Sequence, residues 1–151
     1  LYVANDFGRN VLYRNDTPRG GAPVFTDIAA EAGAEDSASG MSVSWGDYDR
    51  DGWMDLYVGN MFSAAGSRVT GQAMFKPDAT GEVRTRLQRF ARGNTLLGNR
   101  NGKAFEDVSE AGAVTMGRWS WSSSFLDIDG DGWEDLIVAN GYVTTDDRGD
   151  L

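Results

Sequence analysis

The sequence contains no cysteine and no histidine, and only 3 of its 151 residues are proline. Without cysteine the chain forms no disulfide bond and offers no thiol, and without histidine it lacks the most common general base. The two absences also remove the usual protein ligands of zinc, copper and haem iron. A metal site in this chain would have to use oxygen ligands.

Long apolar runs and excess positive charge are missing as well. No window approaches the roughly eighteen consecutive apolar residues that a membrane-spanning helix needs, so we expect no membrane span. The formal net charge is −9, which disfavours a nucleic-acid partner. With 40% hydrophobic residues and 20 glycines, the composition fits a packed, turn-rich globular protein rather than a disordered tail.

Eight aspartates fall in two segments of nearly the same sequence, GDYDRDGWMDLYVGN from Gly46 and LDIDGDGWEDLIVAN from Leu126. The second segment follows the first by 80 residues, and LYVAN at Leu1 resembles the end of both. Two further pieces also recur, NVLYRN as NTLLGN and FTDIAAEAG as FEDVSEAG. We interpret the chain as a tandem repeat whose first copy lacks the acidic loop, so that Leu1 falls within a repeat.

The spacing of these aspartates matches the ligand pattern of a calcium loop. Ca²⁺ is bound by six to eight oxygens, and the alternating side chains of a tight loop can supply them. In each segment, carboxylates at loop positions 1, 3, 5 and 9 and the carbonyl at position 7 predict one Ca²⁺ site. Because four nearby carboxylates repel one another without a cation, we prefer this interpretation to a solvated acidic turn. The predicted ligands of the two sites are Asp47, Asp49, Asp51, Trp53, Asp55, Asp127, Asp129, Asp131, Trp133 and Asp135.

The residues that follow each loop exclude an EF-hand. Val58 and Val138 occupy loop position 12, where an EF-hand requires a bidentate glutamate. The flanking segments DLYVGN and DLIVAN are of the β type, whereas an EF-hand or a dockerin module has helices there. The loops are therefore expected between two strands.

Each repeat contains four short apolar segments bounded by turn residues, which predict β-strands. In the middle copy these strands are predicted at 41–46, 54–60, 94–100 and 103–109. Turns such as Asn101-Gly102 favour antiparallel hairpins, and four-stranded units in tandem are typical of β-propeller blades. The predicted fold class is all-β, a fragment of a β-propeller.

The spacing between copies also predicts an insertion near 61–93, because the middle repeat is about 25 residues longer than the first. Within it, four arginines and three apolar residues have the spacing of a short helix with a basic face. We prefer a solvated helix to a binding site for an acidic ligand. The arginines are Arg84, Arg86, Arg89 and Arg92.

A DxDxDGxxDL loop between two strands resembles the FG-GAP or VCBS repeat of integrin α-subunit propellers. The segments NVLYRN, FTDIAAEAG and WGDYDRDGWMDLYVGN are further similar to the cartilage acidic protein and ASPIC/UnbV group of secreted repeat proteins. The resemblance implies Ca²⁺ in the hairpin loop between the first two strands of a blade. The resemblance also implies a partial propeller of two to two and a half blades. Residues 1–33 would be the end of a blade without its calcium loop, 40–112 a complete blade with its insertion, and 117–151 the first half of the next blade.

The resemblance implies adhesion, matrix contact or scaffolding without a common catalytic centre. We expect a non-enzymatic module, secreted, periplasmic or at the cell surface, with structural Ca²⁺ and with another protein or a surface glycan as partner. Two alternatives stay open, a subunit of a larger assembly and a propeller-based hydrolase resting on Glu82, Glu106 and Glu110. The integrin-recognition tripeptide at 148–150 is interpreted as a chance match.

Two other features carry expectations. Arg50 stands where the last copy has Gly130, and we expect it to point to solvent. Five tryptophans are expected to pack between sheets rather than to bind sugars. They are Trp45, Trp53, Trp119, Trp121 and Trp133.

Overall fold

The computed structural model describes residues 1–140, so the tripeptide at 148–150 and the end of the predicted unit 117–151 lie outside the described residues. The described chain is mostly β-structure with two helices. Its elements are β1 (Tyr2–Val3), β2 (Gly8–Arg9), β3 (Val11–Asn15), β4 (Phe25–Asp27), β5 (Ser37–Ala38), β6 (Gly40–Gly46), β7 (Asp55–Asn60), α1 (Ala64–Thr70), α2 (Gly81–Arg92), β8 (Thr95–Asn99), β9 (Phe105–Asp107), β10 (Ser120–Leu126) and β11 (Asp135–Asn140).

The strands form antiparallel sheets that follow the order of the repeats. The first sheet has the order β1-β3-β4, the middle sheet β6-β7-β8-β9, and the last sheet pairs β10 with β11, while β2 and β5 form a separate two-stranded ribbon. All four strands predicted for the middle copy are confirmed, although β8 and β9 are shorter than predicted. The ribbon and α1 were not predicted.

Alternation along β7 explains how the sheets stack. Successive side chains of a strand point to opposite faces, so Leu56 and Val58 share one face and Tyr57 lies on the other. The first face forms a core with Tyr2 and Leu12 of the first sheet, with the alanines of the segment after β4 and with Leu97 of β8. The alanines are Ala29, Ala32 and Ala34. On the second face, the ring of Tyr57 lies 6.3 Å from that of Phe125 in the last sheet. The middle sheet is therefore covered on both faces.

An asparagine that recurs in the repeats accepts a backbone hydrogen bond at the end of the LYVGN and LYVAN segments. Asn94 Oδ1 accepts a hydrogen bond from Asn60 N at 2.8 Å, and Asn10 Oδ1 accepts the equivalent bond from Asn5 N at 2.8 Å in the first copy. At Asn60 this bond satisfies a buried strand-end N–H, and at Asn5 a partly buried one. The recurrence of asparagine in NVLYRN and NTLLGN thus has a structural cause.

The insertion contains the predicted helix, which is α2, but its basic face is not simply solvated. Arg89 Nη2 lies 2.6 Å from Asp36 Oδ1, and the Asp36 side chain is only 1% exposed. Arg92 Nη2 lies 2.6 Å from Asp107 Oδ2. The expectation of a solvated face is therefore wrong for these two arginines, because α2 packs against β5 and beside β9.

The expectation that the tryptophans fill the space between sheets is also wrong for the described chain. All five are between 37% and 49% exposed. Trp53 lies over the turn at Gly102, where an added Cβ would come 2.4 Å from its ring. In residues 1–140 neither helix is both long and apolar enough to cross a bilayer.

Candidate metal centre

The loop between β6 and β7, residues 47–55, is called the middle loop. Its aspartates organise its backbone: Asp47 Oδ1 accepts from Asp51 N at 3.0 Å, and Asp47 Oδ2 accepts from Gly52 N at 3.0 Å. Asp51 Oδ1 accepts from Trp53 N at 2.8 Å. The chain reverses at Gly52, whose φ of 87° lies in the left-handed region that favours glycine.

The loop between β10 and β11, residues 127–135, is called the last loop, and it has the same wiring. Asp127 Oδ1 accepts from Asp131 N at 3.1 Å, and Asp127 Oδ2 accepts from Gly132 N at 2.9 Å. Asp131 Oδ1 accepts from Trp133 N at 2.8 Å, and Gly132 has a φ of 86°. The sequence repeat is therefore also a repeat of loop conformation.

Three carboxylates converge in each loop. Oxygen atoms of Asp47, Asp49 and Asp55 all lie within 4.8 Å of one another, and the same holds for Asp127, Asp129 and Asp135. Asp51 and Asp131 are not in these groups; one oxygen of each accepts the N–H of the tryptophan two residues later. The structure thus brings together three of the four predicted carboxylates per loop, and ligation by the carbonyls of Trp53 and Trp133 stays a prediction.

The spacing and chemistry of the carboxylates fit a hard cation. Two oxygens bound to one Ca²⁺ at about 2.3–2.6 Å are at most about 4.6–5.2 Å apart, a limit that the groups in both loops meet. Only oxygen ligands are present, and Val58 at position 12 is fully buried in β7, away from any ligand role. The residues present therefore fit Ca²⁺ in a loop that is not an EF-hand.

Asp55 gives the middle loop a buried carboxylate. Its side chain accepts from Asn99 N at 2.7 Å and from Tyr48 N at 3.1 Å, and the residue is 1% exposed. Burial raises the pKa of Asp55, and the nearby charges of Asp49 and Asp51 add to this, whereas the two N–H donors act in the opposite direction. A cation at this position would relieve both unfavourable effects.

Two contacts connect the loops, and neither was predicted. Glu134 Oε2 accepts from Asp47 N at 2.7 Å, and the Arg50 guanidinium lies 5.0 Å from the centre of the Trp133 ring. Arg50 is exposed, as expected, but the contact of its guanidinium with the Trp133 ring was not expected. A signal existed in the sequence: the two loops differ in charge only at the positions of Arg50 and Glu134.

The glutamates considered for hydrolysis lie on different elements. Glu82 is in α2 and pairs with Arg86, while Glu106 is in β9 and pairs with Arg100. Glu110 follows β9. The exposed ion pairs of Glu82 and Glu106 give neither residue the environment of a general acid.

A family model described as FG-GAP-like repeat matches residues 1–58 and 87–138, which is well over half of the chain. The matched ranges contain both acidic loops and leave out α1 and the start of α2. No curated protein and no solved structure matches the chain. The narrower resemblance to the ASPIC/UnbV group stays a prediction. The chain belongs to the FG-GAP-like repeat family.

Proposed function

We propose that this chain is part of an integrin-like β-propeller that binds another macromolecule, and that each acidic loop holds one structural Ca²⁺. The observation that carries the proposal is the convergence of three carboxylates within 4.8 Å in both loops, each between two paired antiparallel strands. In this proposal the ligands are the ten residues predicted from the sequence.

The role proposed for the ions is to stabilise the loops. Three carboxylates at this distance repel one another, and a divalent cation between them replaces the repulsion by attraction. An ion that binds only the folded chain adds to stability in proportion to the logarithm of its concentration. A switching role is not proposed, because these loops have neither the position-12 glutamate nor the flanking helices whose movement opens an EF-hand.

The propeller is supported by the stacking of the sheets in chain order, with one four-stranded antiparallel sheet at the centre. An extracellular, periplasmic or cell-surface location is proposed because sites of extracellular modules often bind Ca²⁺ at about 10⁻⁴–10⁻³ M. The proposed partner is another protein or a surface glycan, within the adhesion and matrix roles of similar repeat proteins.

Thermal melting with and without a chelator tests the calcium proposal. The 151-residue chain should melt at a higher temperature in millimolar Ca²⁺ than in EGTA, and the same concentration of Mg²⁺ should give a much smaller shift because Mg²⁺ requires a tighter octahedral site. Identical melting curves in Ca²⁺ and EGTA would rule out structural calcium.

A further inference from the structure

The middle and last loops are in direct contact through a hydrogen bond from a main-chain N–H to a side-chain carboxylate. Asp47 N donates to Glu134 Oε2 at 2.7 Å. Asp47 is the first proposed ligand of the middle loop, and Glu134 stands between Trp133 and Asp135, two proposed ligands of the last loop. The position of one ligand group is thus tied to the position of the other.

A second contact involves different atoms. The guanidinium of Arg50 lies 5.0 Å from the centre of the Trp133 ring, within the range of a cation–π interaction. Arg50 reaches it from a left-handed backbone conformation, with φ at 58°, at the position where the last loop has Gly130 with φ at 77°. The middle loop therefore carries an unfavourable residue at a position that glycine suits better.

The packing beneath these contacts requires a glycine. A Cβ on Gly46 would lie 2.4 Å from the Phe125 ring and 2.6 Å from Glu134 Oε2. Such distances are far inside van der Waals contact, so only glycine lets Glu134 reach the backbone at Asp47. The close approach of the loops is therefore part of the sheet packing as well as of the side-chain contacts.

We propose that the two loops bind Ca²⁺ as a coupled pair, with Glu134 and Arg50 as positioning residues. This inference rests on the calcium binding proposed above. An ion in the last loop fixes the backbone at Trp133 and Asp135, and hence Glu134, which in turn holds the N–H of Asp47 and orients the first ligand of the middle loop. Coupling between binding sites is reciprocal, and about five- to 150-fold in affinity is typical.

Calorimetric Ca²⁺ titrations of the unmodified chain, of two single-loop variants and of positioning-residue variants test the coupling. Asp129→Asn reports the middle loop alone, Asp49→Asn reports the last loop alone, and the unmodified chain reports both. We expect the product of the two dissociation constants of the unmodified chain to be at least about fivefold smaller than the product from the single-loop variants. The same ratio of products is then measured in a Glu134→Ala background and in an Arg50→Ala background, each with and without the two single-loop changes. In both backgrounds the ratio should fall towards one.

Conservative and matched variants separate positioning from general damage. Glu134→Gln keeps an oxygen that can accept from Asp47 N, so it should retain most of the coupling. Met54→Ala changes the position of the middle loop equivalent to Glu134, and Asp78→Ala removes one negative charge from an exposed site between the helices, so both should leave the coupling unchanged.

The outcomes distinguish failure of the coupling from failure of the proposed calcium binding. Absence of Ca²⁺ binding in the unmodified chain would overturn the proposed function itself. Two ions that bind with the same constants in the unmodified chain and in the single-loop variants would overturn only the coupling. If Glu134→Ala does not fold, Arg50→Ala decides alone, because it changes an exposed residue whose ring partner is also exposed.

Discussion

The two strands that follow the loops have nearly the same sequence and very different surroundings. All six residues of β7 are buried, whereas every residue of β11 is exposed or half-buried. β7 lies between β6 and β8 and has sheets on both faces, while within the described residues β11 pairs with β10 alone. The comparison separates the loop conformation, which the sequence of each copy determines, from the burial of the copy, which depends on the adjacent sheets.

Loop conformation belongs to the local part of this comparison. The equivalent aspartates accept equivalent N–H groups in both loops although Asp55 is buried and Asp135 is exposed. The hydrogen bonds within the loop are therefore the same whether the loop is buried or exposed. What differs between the copies is the burial of the aspartate, and this should decide how much its substitution destabilises the fold. The same carboxylate should therefore matter for folding in the middle copy and only for metal binding in the last copy.

The largest effect is expected at the end of β7. Asn60 donates there to Asp36, which holds the guanidinium of Arg89, whereas Asn140 at the end of β11 is exposed. Asp36→Ala should lower the free energy of unfolding by about 3–5 kcal/mol, because it leaves a largely buried guanidinium without its counter-charge. Urea unfolding measures this, with Glu82→Ala as the control, since its exposed pair with Arg86 should contribute less than about 1 kcal/mol. Equal losses would contradict the account.

Core truncation in the two strands gives the next effect. Leu56→Ala should cost about 2–5 kcal/mol of unfolding free energy, because Leu56 is fully buried between two sheets. The equivalent Leu136→Ala removes a half-buried side chain and should cost less than half as much. Comparable destabilisation by the two variants in urea would mean that the last sheet is covered in solution as fully as the middle sheet.

The aspartate at position 9 should separate folding from metal binding. In EGTA, Asp55→Ala should cost about 1–3 kcal/mol, because the buried N–H of Asn99 and the partly buried N–H of Tyr48 lose their acceptor. Asp135→Ala should cost less than about 1 kcal/mol under the same conditions, since its surroundings are exposed. In millimolar Ca²⁺ both variants should lose the stabilisation from one ion. A similar cost of the two substitutions in EGTA would remove the distinction.

The smallest effect concerns position 4 of the loops. Arg50→Ala should cost about 0.5–1 kcal/mol through loss of the cation–π contact with Trp133. Arg50→Gly loses the same contact but suits the left-handed backbone, so it should be more stable than Arg50→Ala by about 1 kcal/mol. Chemical unfolding of both variants in EGTA tests the order, and the reverse order would show that the backbone at Arg50 is not strained.

The sequence predicted the parts of the fold that depend on local patterns. The Asp spacing, the turn glycines and the β-type flanks predicted two hairpin loops, and the recurring LYVGN and NTLLGN segments predicted the four strands of the middle sheet. Each of these features is decided by residues that are close together in the chain.

The misses have a common physical cause, which is contact between distant segments. Asp36 and Arg89 are 53 positions apart, and nothing in a local pattern shows that α2 returns to β5. The same applies to Glu134 and Asp47, which meet only because the last sheet packs on the middle sheet. The exposure of the tryptophans is likewise decided by which segments cover them, which their hydrophobicity does not show.

Calorimetric titration of the unmodified 151-residue chain with Ca²⁺ tests the central claim most directly. We predict two bound ions per chain, one ion in each of Asp49→Asn and Asp129→Asn, and none when the two substitutions are combined. Heats no larger than those of dilution at millimolar Ca²⁺, measured on a chain shown by circular dichroism to be folded, would contradict the claim that these loops are calcium sites.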